Sequence, residues 1–287
     1  AENIKALQEF RTEHGVLNKF QVDLTMFDGK VVNALTDTKS TQSCNICGCK
    51  PSEVNNLKLV RSKPVDEDAL QYGLSILHFW LRSFTYVLNL GYKGDIKKFK
   101  AETPEQKLSV HERKKKIQSE FRDKLSLTVD MPNAGFGNTN DGNTARRAFA
   151  SPDIFAEITG VKVEVIMKLR TVLIALSSGL ELNLDKFTPF CHETSEYLVK
   201  HYDWYKVPPS VHKMLEHGSQ AAAKFDLAIG LFSEKAQEAQ NKIFRNARLY
   251  HSAKISRVNA MKNQIHHLLI RSDPKISTIS VSRSTRI

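Results

Sequence analysis

Residues 69–92 read ALQYGLSILHFWLRSFTYVLNLGY, a long stretch that contains no proline and is apolar on most faces of a helix. A helix that is apolar all round is buried inside a protein or a membrane. No run in the chain approaches the ~20 consecutive apolar residues that a membrane span needs. The stretch therefore predicts a buried helix in a soluble protein, and we expect no membrane partner.

Helical patterns continue on the C-terminal side of this stretch. Pro104 can open one helix, and the segment Val110 to Leu125 is dense in charge. Ser151 and Pro152 combine a good N-cap with proline at the first helical position. Further helices are predicted over residues 152–180, 185–202, 210–217 and 233–270, with breaks between them. The glycine, asparagine and proline content of residues 130–144 predicts a loop.

Strand signals are confined to the N-terminal part. Apolar and polar residues alternate over residues 20–26, which is typical of a half-buried strand, and a second strand is predicted over residues 31–35. Asp28 and Gly29 lie between them and form a typical hairpin turn pair. The predicted fold class is therefore mainly α with a small β-hairpin.

The charge balance points to an anionic partner. The chain has 287 residues, with 42 Lys and Arg against 31 Asp and Glu, a net charge of +11. Among soluble chains of this type, nucleic acid is a commoner anionic partner than a membrane surface. The alternative is that the charge serves only solubility.

The cysteine pattern is unlike that of a secreted protein. Cys44, Cys47 and Cys49 fall within six residues, which is a poor layout for a disulfide framework. The first fifteen residues are charged and contain no signal-peptide core. A reducing intracellular compartment is therefore expected. We interpret the fourth cysteine, Cys191, as a small core residue.

Cys44 and Cys47 form a CxxC motif, whose two thiolates can bind one zinc ion. A tetrahedral structural site needs two further ligands. His212 and His217, in SVHKMLEHG, are candidates, and Cys49 is a rival. A spacing of five places two side chains about 140° apart on an ideal helix. His217 is therefore expected at or beyond the end of a short helix capped by Ser210 and ended by Gly218.

Two carboxylates could take part in metal-dependent chemistry. Cleavage of a phosphodiester by two Mg²⁺ ions needs carboxylates brought together from distant segments. Asp28 ends a predicted strand, and Glu238 lies in a predicted helix. Alternatively, Asp28 is a turn residue before Gly29, and Glu238 pairs with Lys242 on a solvated helix face.

The segment DGNTARR, residues 141–147, could bind a phosphate group. Asn143 and its neighbours offer short polar groups and backbone N–H donors, and Arg146 and Arg147 add positive charge where a helix could start. The alternative is an ordinary capped loop. We interpret the basic run at residues 113–116 as a solvated helix face.

Tyr202, Trp204 and Tyr205 form an aromatic cluster before a Pro-Pro pair. Such rings can stack on a nucleic-acid base. Packing before the turn is the interpretation that we favour.

Several segments together resemble the Transib transposases, the family that includes the V(D)J recombinase catalytic subunit. The resemblance extends from about Phe20 to Pro274. Its most specific segments are FDGKVVNALTDTKSTQSCNICG (27–48), HERKKKIQSEF (111–121), VDMPNAGFGNTNDGNTARR (129–147), PPSVHKMLEHG (208–218) and SEKAQEAQNKIFRNAR (233–248).

The resemblance implies roles for six positions. Asp28 matches a metal-binding catalytic aspartate, and Glu238 matches the last member of the acidic triad. The positions that match the zinc ligands of the family are Cys44, Cys47, His212 and His217. It further implies Mg²⁺ or Mn²⁺ as catalytic cofactors, transposon-end DNA as the partner, a nuclear location and a possible homodimer.

The resemblance also implies a division of the chain. Residues 1–43 would supply partial ribonuclease-H-like (DDE) strands, and residues 44–232 a zinc-stapled helical insertion. Residues 233–272 would form a helical region that carries the glutamate, and residues 273–287 a disordered tail.

The first catalytic aspartate of the family lies well upstream of the segment that matches FDGK. Only 27 residues precede Asp28, and they contain no family motif. We therefore expect that one metal ligand is missing from this chain. One hypothesis, which we favour for the ancestry of this chain, is an enzyme that cleaves DNA and transfers strands. The other, which we favour for this chain, is a truncated or domesticated module that binds DNA without cleaving it.

Overall fold

The structure, a computed structural model, describes residues 10–11, 15, 17–18, 29–72, 74–133, 137–225, 227–231, 235–253 and 255–272. This part of the chain is mainly helical, which confirms the prediction of a mainly α fold. None of its helices combines the length and the apolar character that crossing a membrane requires. The predicted tail, residues 273–287, lies outside the described residues.

The helices are α1 (Gly29–Leu35), α2 (Leu57–Ser62), α3 (Glu67–Leu70), α4 (Ile76–Tyr92), α5 (Pro104–Leu125), α6 (Gly142–Ala150), α7 (Pro152–Thr159), α8 (Val163–Ser177), α9 (Leu184–Tyr202), α10 (Pro209–Glu216), α11 (Gly218–Ala223), α12 (Lys235–Tyr250) and α13 (Arg257–Ser272). A 3₁₀ turn spans Ile229–Leu231. Strand β1 (Phe10–Arg11) pairs antiparallel with β2 (Leu17–Asn18), and β3 (Pro132–Asn133) with β4 (Gly137–Asn138). The chain forms two compact units, Ala1–Phe232 and Ser233–Ile287.

Helix α4 lies at the centre of the first unit, where it packs against α5, α6, α7, α8 and α10. Beside it, four fully buried phenylalanines form an aromatic cluster. The ring of Phe155 lies 5.7 Å from that of Phe84, 5.5 Å from that of Phe121 and 5.3 Å from that of Phe149, measured between centroids. These contacts join α4, α5, α6 and α7 into one core.

The predicted helix over residues 69–92 is divided in two. Helix α3 ends at Leu70, and α4 begins at Ile76. The Ser75 side chain accepts a hydrogen bond from the backbone N–H of His78 and caps the new helix. The predicted long apolar helix is therefore present, but it begins at Ile76 and not at Ala69.

Two more predicted helices are also divided. In residues 152–180, α7 ends before Gly160, whose φ of 71° is a left-handed conformation that glycine adopts readily. In residues 233–270, α12 and α13 are separate helices. Ser256 caps the second of them by accepting the N–H of Asn259. By contrast, α9 and α10 lie close to their predicted ranges.

The strand prediction over residues 31–35 is wrong, because these residues belong to α1. A short, mostly apolar segment cannot distinguish a strand from a helix by its pattern alone. The first predicted strand and Asp28 lie outside the described residues. Residues 130–144, predicted as a loop, contain the short β3–β4 pair and the start of α6.

Arg113 fixes the turn that follows α4. Its guanidinium donates hydrogen bonds to the carbonyl oxygens of Gly91 and Thr159, and to Asp95 at 2.7 Å. Lys114 pairs with Asp130. The run at residues 113–116 is therefore only partly the solvated face that the sequence predicts, since its first two members hold neighbouring segments together.

Candidate metal centre

Cys44, Cys47, His212 and His217 meet in one buried group. Their candidate ligand atoms all lie within 4.8 Å of one another. Cys47 Sγ and His212 Nε2 are 3.4 Å apart. A tetrahedral zinc ion with its usual bond lengths would place sulfur and nitrogen ligands about 3.5 Å apart. The group can therefore bind one metal ion.

The two cysteines lie on a tight turn. The backbone N–H of Cys44 donates to the carbonyl of Cys49, and the N–H of Gly48 donates to the carbonyl of Cys44, both at 2.9 Å. Gly48 has a φ of 65°, which favours glycine at this position. A third bond, from the N–H of Asp66 to the carbonyl of Ile46, ties the turn to the start of α3.

Cys49 is buried beside this turn but is not a member of the four-residue group. A hydrogen bond with the Cys47 thiol lowers the pKa of Cys49. Cys191 is also buried, and burial raises its pKa to about 12. Such a thiol stays protonated, as expected for a small core residue.

Helix α10 supplies the two histidines. Its N-cap is Pro208 and its first residue is Pro209, so the predicted capping role of Ser210 is wrong. Proline fits this place because the first turn of a helix does not use its N–H groups. His217 is the C-cap, with φ −124° and ψ −1°, as predicted from the spacing. Its non-helical backbone lets a residue five positions after His212 reach the same site.

A hydrogen bond orients the His217 ring. Its Nδ1 lies 2.9 Å from Oε1 of Gln220, an oxygen that can only accept, so Nδ1 carries the proton. The other nitrogen, Nε2, is buried and has no hydrogen-bond partner among the described residues. This is the arrangement of a metal-binding histidine, in which an outer partner fixes the tautomer and leaves the second nitrogen free for the metal.

Burial and the neighbouring sulfur atoms act in opposite directions on the pKa values of basic residues in and beside the group. Burial by itself lowers the pKa of His217, but interactions with Cys44 and Gln220 outweigh burial and leave that pKa raised. Burial lowers the pKa of Lys213, while the charges of Cys44 and Cys47 act in the opposite direction. A bound cation would compensate the two thiolate charges, because metal binding displaces their protons.

Arg61 connects α2 to the residue before His217. Its Nε donates to the Glu216 carboxylate at 3.1 Å, and Nη1 donates to Glu196 at 2.6 Å. Its Nη2 reaches the carbonyl of His192 at 3.2 Å. The Glu216 side chain is only 3% exposed, so Arg61 supplies the opposite charge that a buried carboxylate needs.

Asn55 forms a second link between the two halves of the site. Its Nδ2 donates to the carbonyls of Asp203 and Tyr205, and its Oδ1 accepts the N–H of Val207. These bonds fix the segment that leads into α10. Sequence reasoning missed both Asn55 and Arg61, because no local pattern marks a contact across about 150 residues.

The predicted phosphate-binding residues all lie in α6, with Asn143 near its start and Arg147 in its last turn rather than at the helix start that the sequence predicted. Asn143 is exposed, Arg146 lies over the Trp80 ring at 5.2 Å, and Arg147 donates to the carbonyl of Leu125. Asp141 caps the helix by accepting the N–H of Thr144 at 2.7 Å. The helix N-terminus therefore already has a carboxylate, and the arginines remain the groups that could contact phosphate.

The structure does not show the distance between the Asp28 and Glu238 side chains. Asp28 lies outside the described residues. The backbone of Glu238 lies in α12, as predicted, but its side chain is not among those described.

Comparison with known proteins gave no matching family model and no matching curated protein.

Proposed function

We propose that this chain is a zinc-containing DNA-binding module of the Transib transposase type. The observation that supports it is that the CxxC cysteines and the two histidines form one buried group, although Cys47 and His212 are 165 positions apart. The resemblance pairs the same four positions around one zinc ion. Two thiolates and two imidazoles are a typical ligand set for zinc, and four protein ligands fill its coordination sphere. The zinc is therefore structural in this proposal.

The helical body, residues 44–232, is then the insertion that the zinc ion holds together. Residues 1–43 and 233–272 belong to a partial ribonuclease-H-like core. Transposon-end DNA in the nucleus is the proposed partner, and a homodimer is the proposed assembly. The net charge of +11 supports a polyanionic partner.

DNA affinity should fall steeply with salt, because each neutralised phosphate releases counterions. Replacing Arg146 and Arg147 together with alanine should weaken binding to every sequence. The slope of log affinity against log salt should become shallower by about 2, one for each lost contact. Fluorescence anisotropy with a labelled duplex at several salt concentrations measures both quantities.

The matched control is Lys186→Ala with Lys200→Ala, two exposed residues of α9, which removes the same charge. Thermal melting is needed as well, since Arg146 also contacts Trp80. Equal weakening by both double variants would assign the effect to overall charge. A flat salt dependence would argue against DNA binding altogether.

The alternative function is metal-dependent DNA cleavage, with Asp28 and Glu238 holding Mg²⁺ or Mn²⁺. The motif around Glu238 and its position in α12 favour this alternative. With Asp28 and Glu238 as its two carboxylate ligands, we expect metal binding in the millimolar range or weaker, and slow or absent nicking. A supercoiled-plasmid assay in Mg²⁺ or Mn²⁺ tests this, with Glu238→Gln as the control. Clear nicking that Glu238→Gln abolishes would establish the enzyme instead.

A further inference from the structure

A small cavity lies beside the metal centre, and His212 is part of its wall. Its volume is about 160 Å³, and its other walls include Phe99, Tyr205, Pro208 and Pro209. Sites for drug-sized ligands have volumes of roughly 300–1,000 Å³. This cavity is therefore suited to one flat ring rather than to an extended ligand.

Lysines surround the aromatic part of this cavity. The Phe99 and Tyr205 rings lie 5.1 Å apart between centroids. Lys93 Nζ lies 5.3 Å from the first centroid and 4.8 Å from the second, and Lys206 Nζ lies 5.4 Å from the first. Lys50 also lines the cavity. A small cavity with two aromatic rings in its wall and ammonium groups over those rings matches a ligand that joins a ring to negative charge.

The segment that carries Phe99 adds further positive charge. Residues 93–100 read KGDIKKFK, and their single acidic residue, Asp95, is paired with Arg113. Besides Lys93, the segment contains three lysines that are exposed and form no ion pair with any residue that the structure describes. They are Lys97, Lys98 and Lys100. The charge on this side of the cavity is therefore available to a partner.

Both walls of the cavity are held in place. Lys93 Nζ donates to the carbonyl of Phe99 at 2.7 Å, and Arg113 anchors the same segment through Asp95. In the segment that carries Tyr205, Asn55 binds the backbone of Tyr205 and Val207. Because the walls are already fixed, a ligand would lose little affinity to ordering them.

We infer that this cavity receives one unstacked base of single-stranded DNA, while the surrounding lysines contact the adjacent phosphates. Aromatic side chains in a positively charged groove are the usual means of binding single strands, because every base has a face that can stack. The same walls could accommodate a proline-rich peptide, but the lysines favour a polyanion. The inference rests on the proposed DNA binding and specifies the kind of DNA that this surface contacts.

The test compares a labelled single-stranded oligonucleotide with a duplex of the same sequence. Phe99→Ala should weaken single-strand binding about tenfold, the effect of losing one base–aromatic stack, and leave duplex binding nearly unchanged. Phe99 is 37% exposed, so the fold should tolerate the change. Leu180→Ala, at a residue 74% exposed that does not line the cavity, is the matched control. Phe99→Leu, which keeps an apolar side chain without an aromatic ring, should behave like Phe99→Ala and guards against loss of folding.

Lys206→Ala tests the charged part of the inference against Lys186→Ala, another exposed lysine that does not line the cavity. Only the first should lower the salt slope for single strands, by about 0.7. Unchanged single-strand binding in the Phe99 variants would overturn the inference. Binding of a proline-rich peptide that requires Phe99, together with oligonucleotide binding that does not, would overturn it as well. If single-strand binding depends on Phe99 but the protein does not bind duplexes, the inference about the cavity holds. The proposal that the protein binds transposon-end duplex DNA is then refuted.

Discussion

Removing the metal is expected to lower the free energy of unfolding by about 5 kcal/mol. The site joins residues that are 165 positions apart, and a crosslink that closes such a long loop strongly restricts the unfolded chain. Elemental analysis should find one zinc ion per chain in the purified protein. Guanidinium unfolding with and without a chelator measures the difference in stability. The loss should be reversed when Zn²⁺ is returned.

Cys47→Ser should abolish zinc binding and reproduce the effect of the chelator. Cys49→Ser is the matched control, because it makes the same change at a buried cysteine outside the four-residue group. It should retain one zinc ion per chain. Protein that contains no zinc, or equal zinc loss in both variants, would contradict the assignment of the ligands.

Phe155→Ala is expected to lower the free energy of unfolding by about 3–5 kcal/mol, the usual range for deleting a fully buried phenylalanine side chain. The ring contacts three other phenylalanines, so its removal leaves a void that rigid neighbours on several helices cannot easily fill. Chemical denaturation of the zinc-loaded protein measures the change. Phe99→Ala, the same substitution at a partly exposed site, should have a much smaller effect. A similar loss in both variants would mean that the phenylalanine cluster is not the centre of the core.

The metal ligands were partly predictable from sequence, because each pair has a recognisable spacing. The CxxC motif predicts a tight turn with two thiols. The spacing of five predicts that His217 lies where α10 ends, and the structure places it there. Pairing the two motifs required the resemblance, since no local pattern connects Cys47 with His212.

The helix boundaries show a different limit. Apolar periodicity predicted where helices lie, but it does not report where they stop. Ser75, Gly160 and Ser256 are the residues that cap or end them, and all three are ordinary capping or terminating residue types. The contacts of Arg61 with Glu216 and of Asn55 with Tyr205 could not be predicted, because they depend on how distant segments pack.

The separation between the two halves of the metal centre also sets the order of events during synthesis. The cysteine turn leaves the ribosome long before α10, and at about 5–20 residues per second the remaining 165 residues take roughly 8–33 seconds. Throughout that interval the nascent chain has three neighbouring thiols and no histidine from α10 to complete the set. A metal ion delivered early would be held by sulfur alone, and the four-residue coordination sphere would then form by ligand exchange when α10 arrives.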